Sequence, residues 1–259
     1  AFKHLFPCDT LNFVELSQVK QSDLADSDAV IVGGGDLLND FYGIKFNEEI
    51  SKFNGYKIAI GVGISFDECA NRNYITYFDD IMTRNSRDIK KLRLKLGTNH
   101  SHIIPDLGFC LPINNQRTRK SGENEKEKVG AFLVGSLLSN PSFMFSLLTI
   151  FNWLITLGYE IHLIPMFTDE DINDNDLQIN DYIYKTFQHT KSVIKYERLD
   201  FYKYIDILST LDFGVCIRFH SHVFCTRMGI PFLSIPITRK DEIFIEEMPS
   251  KTAYSTTIF

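Results

Sequence analysis

The sequence predicts an α/β protein with two Rossmann-like halves, each built on a parallel sheet. Short, continuously apolar segments alternate with helical patterns along the 259 residues, as in proteins whose parallel strands are buried on both faces. A nearly all-polar stretch at residues 114–128 interrupts the alternation and is predicted to be a linker. The N-terminal half is therefore residues 1–113 and the C-terminal half residues 129–259, and we expect a cleft between them.

The N-terminal half contains four short apolar segments that are predicted to be strands. They are Ala29 to Val32, Lys57 to Ile60, Ile81 to Thr83 and His102 to Ile104. The clearest helix of this half runs from Ser86 to Leu96 and ends at Gly97. Gly33-Gly34-Gly35 follows the first strand and permits a close approach of the backbone to a ligand, but it lacks the spacing of a dinucleotide-binding fingerprint.

The C-terminal half repeats the alternation. Its predicted strands are Val129 to Val134, Glu160 to Ile164, Ser192 to Tyr196, Phe213 to Ile217 and Phe232 to Ile235. Its predicted helices are Ser142 to Leu157, Leu177 to His189, Phe201 to Thr210 and one that Ser221 caps and that reaches Met228. The apolar segment Phe143 to Leu157 is too short to span a bilayer comfortably and is predicted to be a core helix. The acidic stretch Asp169 to Asp176 departs from the calcium-loop pattern and is predicted to be a solvated loop.

Composition narrows the class of protein. The formal charge of -6, without a basic stripe, argues against nucleic acid as the main partner. Five scattered cysteines without a C-x-x-C pair argue against a disulfide framework and a zinc site, and a reducing compartment such as the cytoplasm fits them. The chain begins at Ala1 without a signal-peptide pattern, consistent with an excised piece whose targeting segments lie outside it. No transmembrane segment and no particular oligomeric state are predicted.

The segment from Phe213 to Arg227 is the most informative one. A buried strand leads directly into Arg218, His220 and His222. Ligands of open α/β sheets bind outside the carboxyl ends of strands, where a helix amino terminus offers N–H groups to an anion. The arrangement therefore predicts a site for a phosphate or carboxylate. The alternative is that Arg218 pairs with a structural carboxylate and that the histidines cap or pack.

Arg84 has a matching place in the N-terminal half. It ends a predicted strand and precedes a helix that Asn85 or Ser86 caps, just as Arg218 precedes its own helix. Two arginines at matching strand ends are expected to face one another across the cleft, each clamping an oxyanion by two-pronged hydrogen bonding. The alternative places Arg84 on the surface among neighbouring charged residues.

Six segments, taken in order, resemble the polysaccharide pyruvyl transferase family. They are Asp28 to Leu38, Ile58 to Gly63, Thr83 to Asp88, Pro105-Asp106, Ile217 to His222 and Gly229 through Lys240. The resemblance implies a two-domain fold like that of the GT-B glycosyltransferases, with the acceptor side in the N-terminal half and the donor side in the C-terminal half. The family usually has a further strand and turn before the Gly-Gly-Gly segment, and Ala1 to Asp26 shows no equivalent, which leaves a truncated first half open.

The resemblance also implies a reaction, in which pyruvate passes from phosphoenolpyruvate to a sugar hydroxyl as a ketal. Arg218 and His220 are then the catalytic residues, with His220 as general acid. His222 is expected to orient His220 or to pack. The scheme needs no cofactor and no metal, since phosphoenolpyruvate is the donor substrate. The implied substrate-binding residues are Arg84, Ser221, Lys240, Gly34, Gly35 and Asp106, and Asp106 is also a candidate base for the sugar hydroxyl.

Two other functions stay open beside this one. A GT-B-type glycosyltransferase would bind a nucleotide sugar, although the last helices show no clear ribose-binding carboxylate. A non-catalytic glycan-binding relative would turn over neither kind of donor. For the transferase, the expected partners are a small-molecule donor and a carbohydrate acceptor.

Overall fold

The computed structural model of the chain describes residues 11–65, 73–96, 100–113, 126–169, 174–248 and 253–255. It divides into two compact units, residues 1–111 and 112–259. Each unit is built on its own sheet, and every described strand pair in both sheets is parallel. The predicted fold class, two Rossmann-like parallel-sheet halves, is confirmed.

The N-terminal unit contains a four-stranded sheet whose strands lie side by side in chain order. The strands are β1 (Ala29–Asn39), β2 (Tyr56–Ser65), β3 (Asp80–Thr83) and β4 (Ser101–Ile103). The described helices are α1 (Gln21–Leu24), α2 (Asp40–Glu48) and α3 (Ser86–Leu96). The bounds of α3 are the predicted ones. The core of this unit forms where buried strand residues such as Leu38 and Ala59 pack with Phe46 of α2.

β1 extends beyond the predicted strand because its glycines continue the pairing with β2. Gly34 and Gly35 have φ angles of 76° and 106°, which side chains other than glycine rarely adopt. The register against β2 shifts between Gly35 and Leu38, so the ladder passes through an irregularity of the kind that a β-bulge produces. The irregular part carries Asp36, which belongs to the candidate site described below.

The C-terminal unit contains a six-stranded sheet in the order β10-β9-β8-β5-β6-β7. Its strands are β5 (Lys128–Phe132), β6 (Glu160–Leu163), β7 (Val193–Lys195), β8 (Phe213–Cys216), β9 (Phe232–Ser234) and β10 (Ala253–Ser255). β6 and β7 follow β5 on one side of it, whereas β8, β9 and β10 lie in succession on the other side. The direction of building therefore reverses between β5 and β8, and this reversal is the topological switch point of a Rossmann sheet.

Helices cover both faces of this sheet. They are α4 (Pro141–Thr156), α5 (Asp176–Phe187), α6 (Phe201–Ser209), α7 (Phe219–Met228) and α8 (Arg239–Glu246). Successive side chains of a strand point to opposite faces. Val129 and Ala131 of β5 pack in one core with buried residues of α4 and α5. Phe132 contacts Tyr204 of α6 on the other face, with 6.5 Å between the ring centroids.

The segment predicted to be a core helix is α4, whose residues Phe143, Leu147 and Phe151 are buried. None of the helices within the described ranges is long and apolar enough to cross a membrane.

One prediction in this unit is wrong, and two elements of the structure were not predicted. α7 begins at Phe219 with Arg218 as its N-cap, so the prediction that Ser221 caps this helix is wrong. The predicted strands and helices also do not include α8 or β10. α8 begins with a capping box, in which the Asp241 carboxylate accepts hydrogen bonds from the N–H (2.9 Å) and the hydroxyl (2.6 Å) of Thr238. β10 has only three residues, too few for a period to be visible.

Candidate active site

Arg218 lies at the topological switch point of the C-terminal sheet. It follows β8 directly, and its N–H donates to the carbonyl of Phe132, the last residue of β5, at 3.3 Å. The N–H of Ile217 donates to the same carbonyl at 3.1 Å. Arg218 is therefore fixed to the carboxyl ends of the two strands between which ligands of this fold class bind.

The guanidinium group of Arg218 binds two aspartates. Its Nε and Nη2 donate to Asp176 Oδ1 at 3.0 and 2.5 Å. Its Nη1 donates to Asp174 Oδ2 at 2.6 Å, and Nη2 also donates to the Asp174 carbonyl at 2.5 Å. Burial alone would lower the pKa of the guanidinium, but these hydrogen bonds and the two carboxylate charges raise it. The carboxylate pairing that was the alternative reading of Arg218 is thus present in the structure.

The two aspartates differ in their surroundings. Asp176 is fully buried, and its Oδ2 accepts hydrogen bonds from the N–H groups of Met166 (3.0 Å) and Phe167 (2.9 Å). Burial raises its pKa, although Arg218 and these N–H groups oppose the shift. The Asp174 side chain is 35% exposed. Burial would raise the pKa of Asp174 too, but Arg218 and Ser136 lower it overall. The prediction that Asp169 to Asp176 is simply a solvated loop is therefore wrong at its end.

His220 and Ser221 lie in the first turn of α7 and have different environments. His220 is exposed, and its ring packs edge-on against Phe219 with 5.5 Å between centroids. Ser221 is buried, and both its hydroxyl (2.5 Å) and its N–H (3.0 Å) donate to the carbonyl of Arg218. The N–H of Ser221 is thus bound within the helix, and any anion at this end of α7 would use the N–H groups that precede it.

His222 positions the backbone of Arg218. It is fully buried, and its Nδ1 lies 3.1 Å from the Arg218 carbonyl, which can only accept, so Nδ1 is the donor. Nε2 then accepts from the hydroxyl of Ser234 at 2.8 Å. Burial lowers the pKa of His222, and the charge of Asp241 opposes this shift. His222 also packs edge-on against the Phe232 ring, with 5.5 Å between centroids, which agrees with the predicted alternative that it packs. Its polar contact orients the backbone of Arg218.

Lys240 reaches the same end of the sheet from α8. Its Nζ lies 5.6 Å from the centroid of the Phe219 ring, within the range of a cation–π interaction. His220 packs on the same ring, so Phe219 contacts both Lys240 and His220. The predicted residues Arg218, His220, Ser221 and Lys240 all lie in the segments that follow β8 and β9.

The N-terminal unit has an equivalent cluster around Arg84. The Arg84 side chain is only 6% exposed, and its guanidinium forms an ion pair with Asp36 and donates from Nη1 to Asp106 Oδ2 at 3.1 Å. Asp106 also accepts from the N–H of Gly108 at 2.8 Å. A Cβ on Gly63 would lie 2.2 Å from Asp36 Oδ1 and 2.7 Å from Arg84 Nη2, so a side chain there would displace this ion pair. The structure brings Arg84 and Asp106 together with the segment that follows Gly34 and Gly35.

In each unit, then, an arginine at the end of a strand lies between two aspartates. Arg84 and Arg218 were predicted from the sequence, and so was Asp106. Asp36, Asp174 and Asp176 were not, although Asp36 directly follows the three glycines and the other two end the acidic stretch. Such a site can bind an oxyanion if one carboxylate gives up its place on the guanidinium.

Gly135 provides a test of how closely the Asp174 segment is held. A Cβ on Gly135 would lie 2.2 Å from the carbonyl oxygen of Asn175 and 2.6 Å from its carbonyl carbon. Because these are backbone atoms that cannot rotate away, we expect Gly135→Ala to destabilise the protein by about 1 to 3 kcal/mol. Thermal unfolding should show a lower Tm, whereas Ser142→Ala, at an exposed position of the same unit, should stay near the wild-type value. An unchanged Tm for Gly135→Ala would contradict the close packing.

The two parallel sheets, each with an arginine at the end of a strand, define a two-unit α/β protein with Rossmann-like halves. The family model for polysaccharide pyruvyl transferase matches residues 3–238. The chain belongs to the polysaccharide pyruvyl transferase family, and the resemblance that the motifs indicated is confirmed. No curated protein matches the chain.

Solved structures share the fold at low sequence identity. The Glycosylation Associate Protein (Gap123) complex from Streptococcus agalactiae matches with a TM-score of 0.53 and 11% identity, over 90% of this chain and 46% of that chain. TarM matches with a TM-score of 0.51 and 12% identity, over 88% and 44%. UDP-GlcNAc 2-epimerase from Methanocaldococcus jannaschii matches with a TM-score of 0.60 and 9% identity, over 100% and 78%. The chain thus spans about half the length of the first two.

Proposed function

We propose that the protein transfers the pyruvyl group of phosphoenolpyruvate to a sugar hydroxyl of a glycan or glycan precursor and forms a ketal. Family membership over residues 3–238 supports this function. The observation that carries it is the placement of Arg218 and His220 at the switch point, two positions apart around the start of α7. Ligand chemistry concentrates at this point of a Rossmann sheet.

The donor carries a phosphate and a carboxylate, and the proposed donor site supplies positive groups for both. Arg218 can form planar, two-pronged hydrogen bonds with either oxyanion. Lys240 adds a second cation beside Phe219. The first N–H groups of α7 add the partial positive charge of a helix amino terminus. Arg84 and Asp106, in the N-terminal unit, stay predicted substrate-binding residues.

His220 is the proposed general acid. Its exposed ring at the start of α7 is accessible to a substrate, and histidine is the side chain that most readily exchanges a proton near neutral pH. In the proposed reaction it protonates the methylene carbon of the enol, and a sugar hydroxyl attacks the resulting oxocarbenium-like carbon and loses its proton. Phosphate then leaves as an anion stabilised by the cationic groups, and a second sugar hydroxyl bonds to the same carbon to complete the ketal. The proton of the first hydroxyl restores the protonated His220, and the proton of the second leaves with the phosphate.

The test is a thermal-shift comparison of phosphoenolpyruvate with UDP and GDP. A ligand at about 100 times its Kd stabilises the folded protein by roughly 2.7 kcal/mol, so phosphoenolpyruvate should raise the Tm by several degrees. An equal mixture of phosphate and pyruvate is the control for binding of the separated anions. If UDP or GDP raises the Tm and phosphoenolpyruvate does not, a nucleotide-sugar transferase replaces this proposal.

A further inference from the structure

We propose that Asp174 is a displaceable counter-ion whose carboxylate occupies an anion position that a substrate oxyanion takes over. The chemical class of the ligand is a phosphate or carboxylate group. Its identity as phosphoenolpyruvate rests on the proposed function, whereas the anion position itself rests only on the contacts of Arg218.

The two aspartates hold Arg218 in different ways. Asp176 holds the guanidinium through Nε and Nη2, and it is in turn held by the N–H groups of Met166 and Phe167. It is fully buried, so releasing it would expose or strand a charge in the interior. Asp174 holds only Nη1 with its carboxylate, and its side chain is 35% exposed. The Asp174 carboxylate can therefore leave while Asp176 keeps Arg218 in place.

The Asp174 carboxylate accepts hydrogen bonds from donors on both sides of the switch point. Its Oδ2 accepts from Arg218, which follows β8, and its Oδ1 is 3.4 Å from the N–H of Ser136, which follows β5. One carboxylate thus bridges the segments that follow the two strands between which ligands of this fold class bind. Gly135 contributes by letting the backbone of Asn175 approach closely. The same two donors suit a phosphate or carboxylate oxygen pair.

The Asp174 carboxylate competes with an external anion for the same hydrogen-bond donors. A carboxylate in the same chain competes with a free anion at an effective concentration on the order of millimolar. The external anion binds only while the Asp174 carboxylate is away from the position. Its apparent affinity is therefore its intrinsic affinity multiplied by the fraction of time for which the position is free. Removing the competitor should therefore tighten anion binding by about tenfold.

The experiment is a calorimetric titration with inorganic phosphate at about 0.15 M salt, where distant charges are screened. We expect Asp174→Asn to bind phosphate about tenfold more tightly than wild type. Glu197→Gln is the matched control, since it removes one negative charge from an exposed side chain of the same unit that pairs with Lys195. Asp174→Ser provides a second variant if the asparagine form folds poorly, and thermal unfolding checks that each variant is folded.

The outcomes separate the two proposals. Tighter phosphate binding by Asp174→Asn that disappears when Arg218→Lys is added supports the displaceable counter-ion, whether or not phosphoenolpyruvate binds. Tighter phosphate binding without any phosphoenolpyruvate binding sinks the proposed function and leaves the anion position standing. Phosphate affinity no tighter than that of Glu197→Gln, or independent of Arg218, overturns the inference even if phosphoenolpyruvate binds to wild type.

Discussion

His220→Ala is expected to lose about 10² to 10⁴-fold in the turnover of pyruvyl transfer while keeping most of its affinity for phosphoenolpyruvate. The ring is exposed at the start of α7, so its removal leaves the core and the Arg218 contacts unchanged. An effect on turnover alone is the signature of a group that acts in the transition state. The measurement is phosphate release in the presence of an accepted sugar, with donor affinity from calorimetry.

His222→Ala is the control, and the structure predicts a different effect. His222 donates to the Arg218 carbonyl and accepts from Ser234 in the buried core. Its removal leaves the buried Ser234 hydroxyl without its acceptor, while the Arg218 carbonyl keeps its hydrogen bonds from Ser221. We expect a cost of about 1 to 3 kcal/mol of stability, with a smaller loss of turnover than for His220→Ala. If His220→Ala keeps normal turnover, its role as proton donor is wrong. Equal turnover losses in both variants at an equally lowered Tm would mean that His220 acts structurally.

The alternation of strands and helices could be predicted from the sequence because it depends on local patterns. The helix Ser86–Leu96 has its predicted bounds, and the parallel pairing of Val129 with Ile161 follows from continuously apolar strands. The strand-end positions of Arg84 and Arg218 could be found in the same way. An apolar run that ends in a charged residue, followed by a helix start, can be recognised in a single sequence.

Of the aspartates that pair with those arginines, Asp106 was a predicted site residue, but Asp36, Asp174 and Asp176 were not. Asp174 and Asp176 lie in an acidic stretch, and charge alone does not tell which carboxylate is solvated and which approaches a strand end in the folded chain. Asp176 becomes fully buried because two N–H groups and a guanidinium meet it there. The predicted cap of α7 was wrong because of a local hydrogen bond that residue type alone does not indicate. Ser221 is a good cap by residue type, but its hydroxyl reaches the Arg218 carbonyl one turn earlier.

Arg218→Met is expected to lower stability by about 3 to 5 kcal/mol, because it leaves the buried Asp176 carboxylate without its cation. For a protein of this size the Tm should fall by roughly 10 °C. A loss of donor binding in this variant would therefore be ambiguous on its own. The second change Asp176→Asn removes the buried charge and keeps an oxygen for the N–H groups of Met166 and Phe167. The double variant should recover more than half of the lost stability.

Donor affinity should not recover with stability in the Arg218→Met, Asp176→Asn double variant. Each charge-assisted hydrogen bond from Arg218 to the donor is worth about 1.5 to 3 kcal/mol, so phosphoenolpyruvate should bind roughly 10 to 150-fold more weakly than to wild type even when the Tm has returned. Calorimetric titration and thermal unfolding of the wild type, both single variants and the double variant measure the two effects separately. Asp176→Asn alone keeps Arg218 and its charge, so it should retain more affinity than the double variant. Wild-type affinity in the restored double variant would show that Arg218 serves the fold through Asp176 and does not bind the donor.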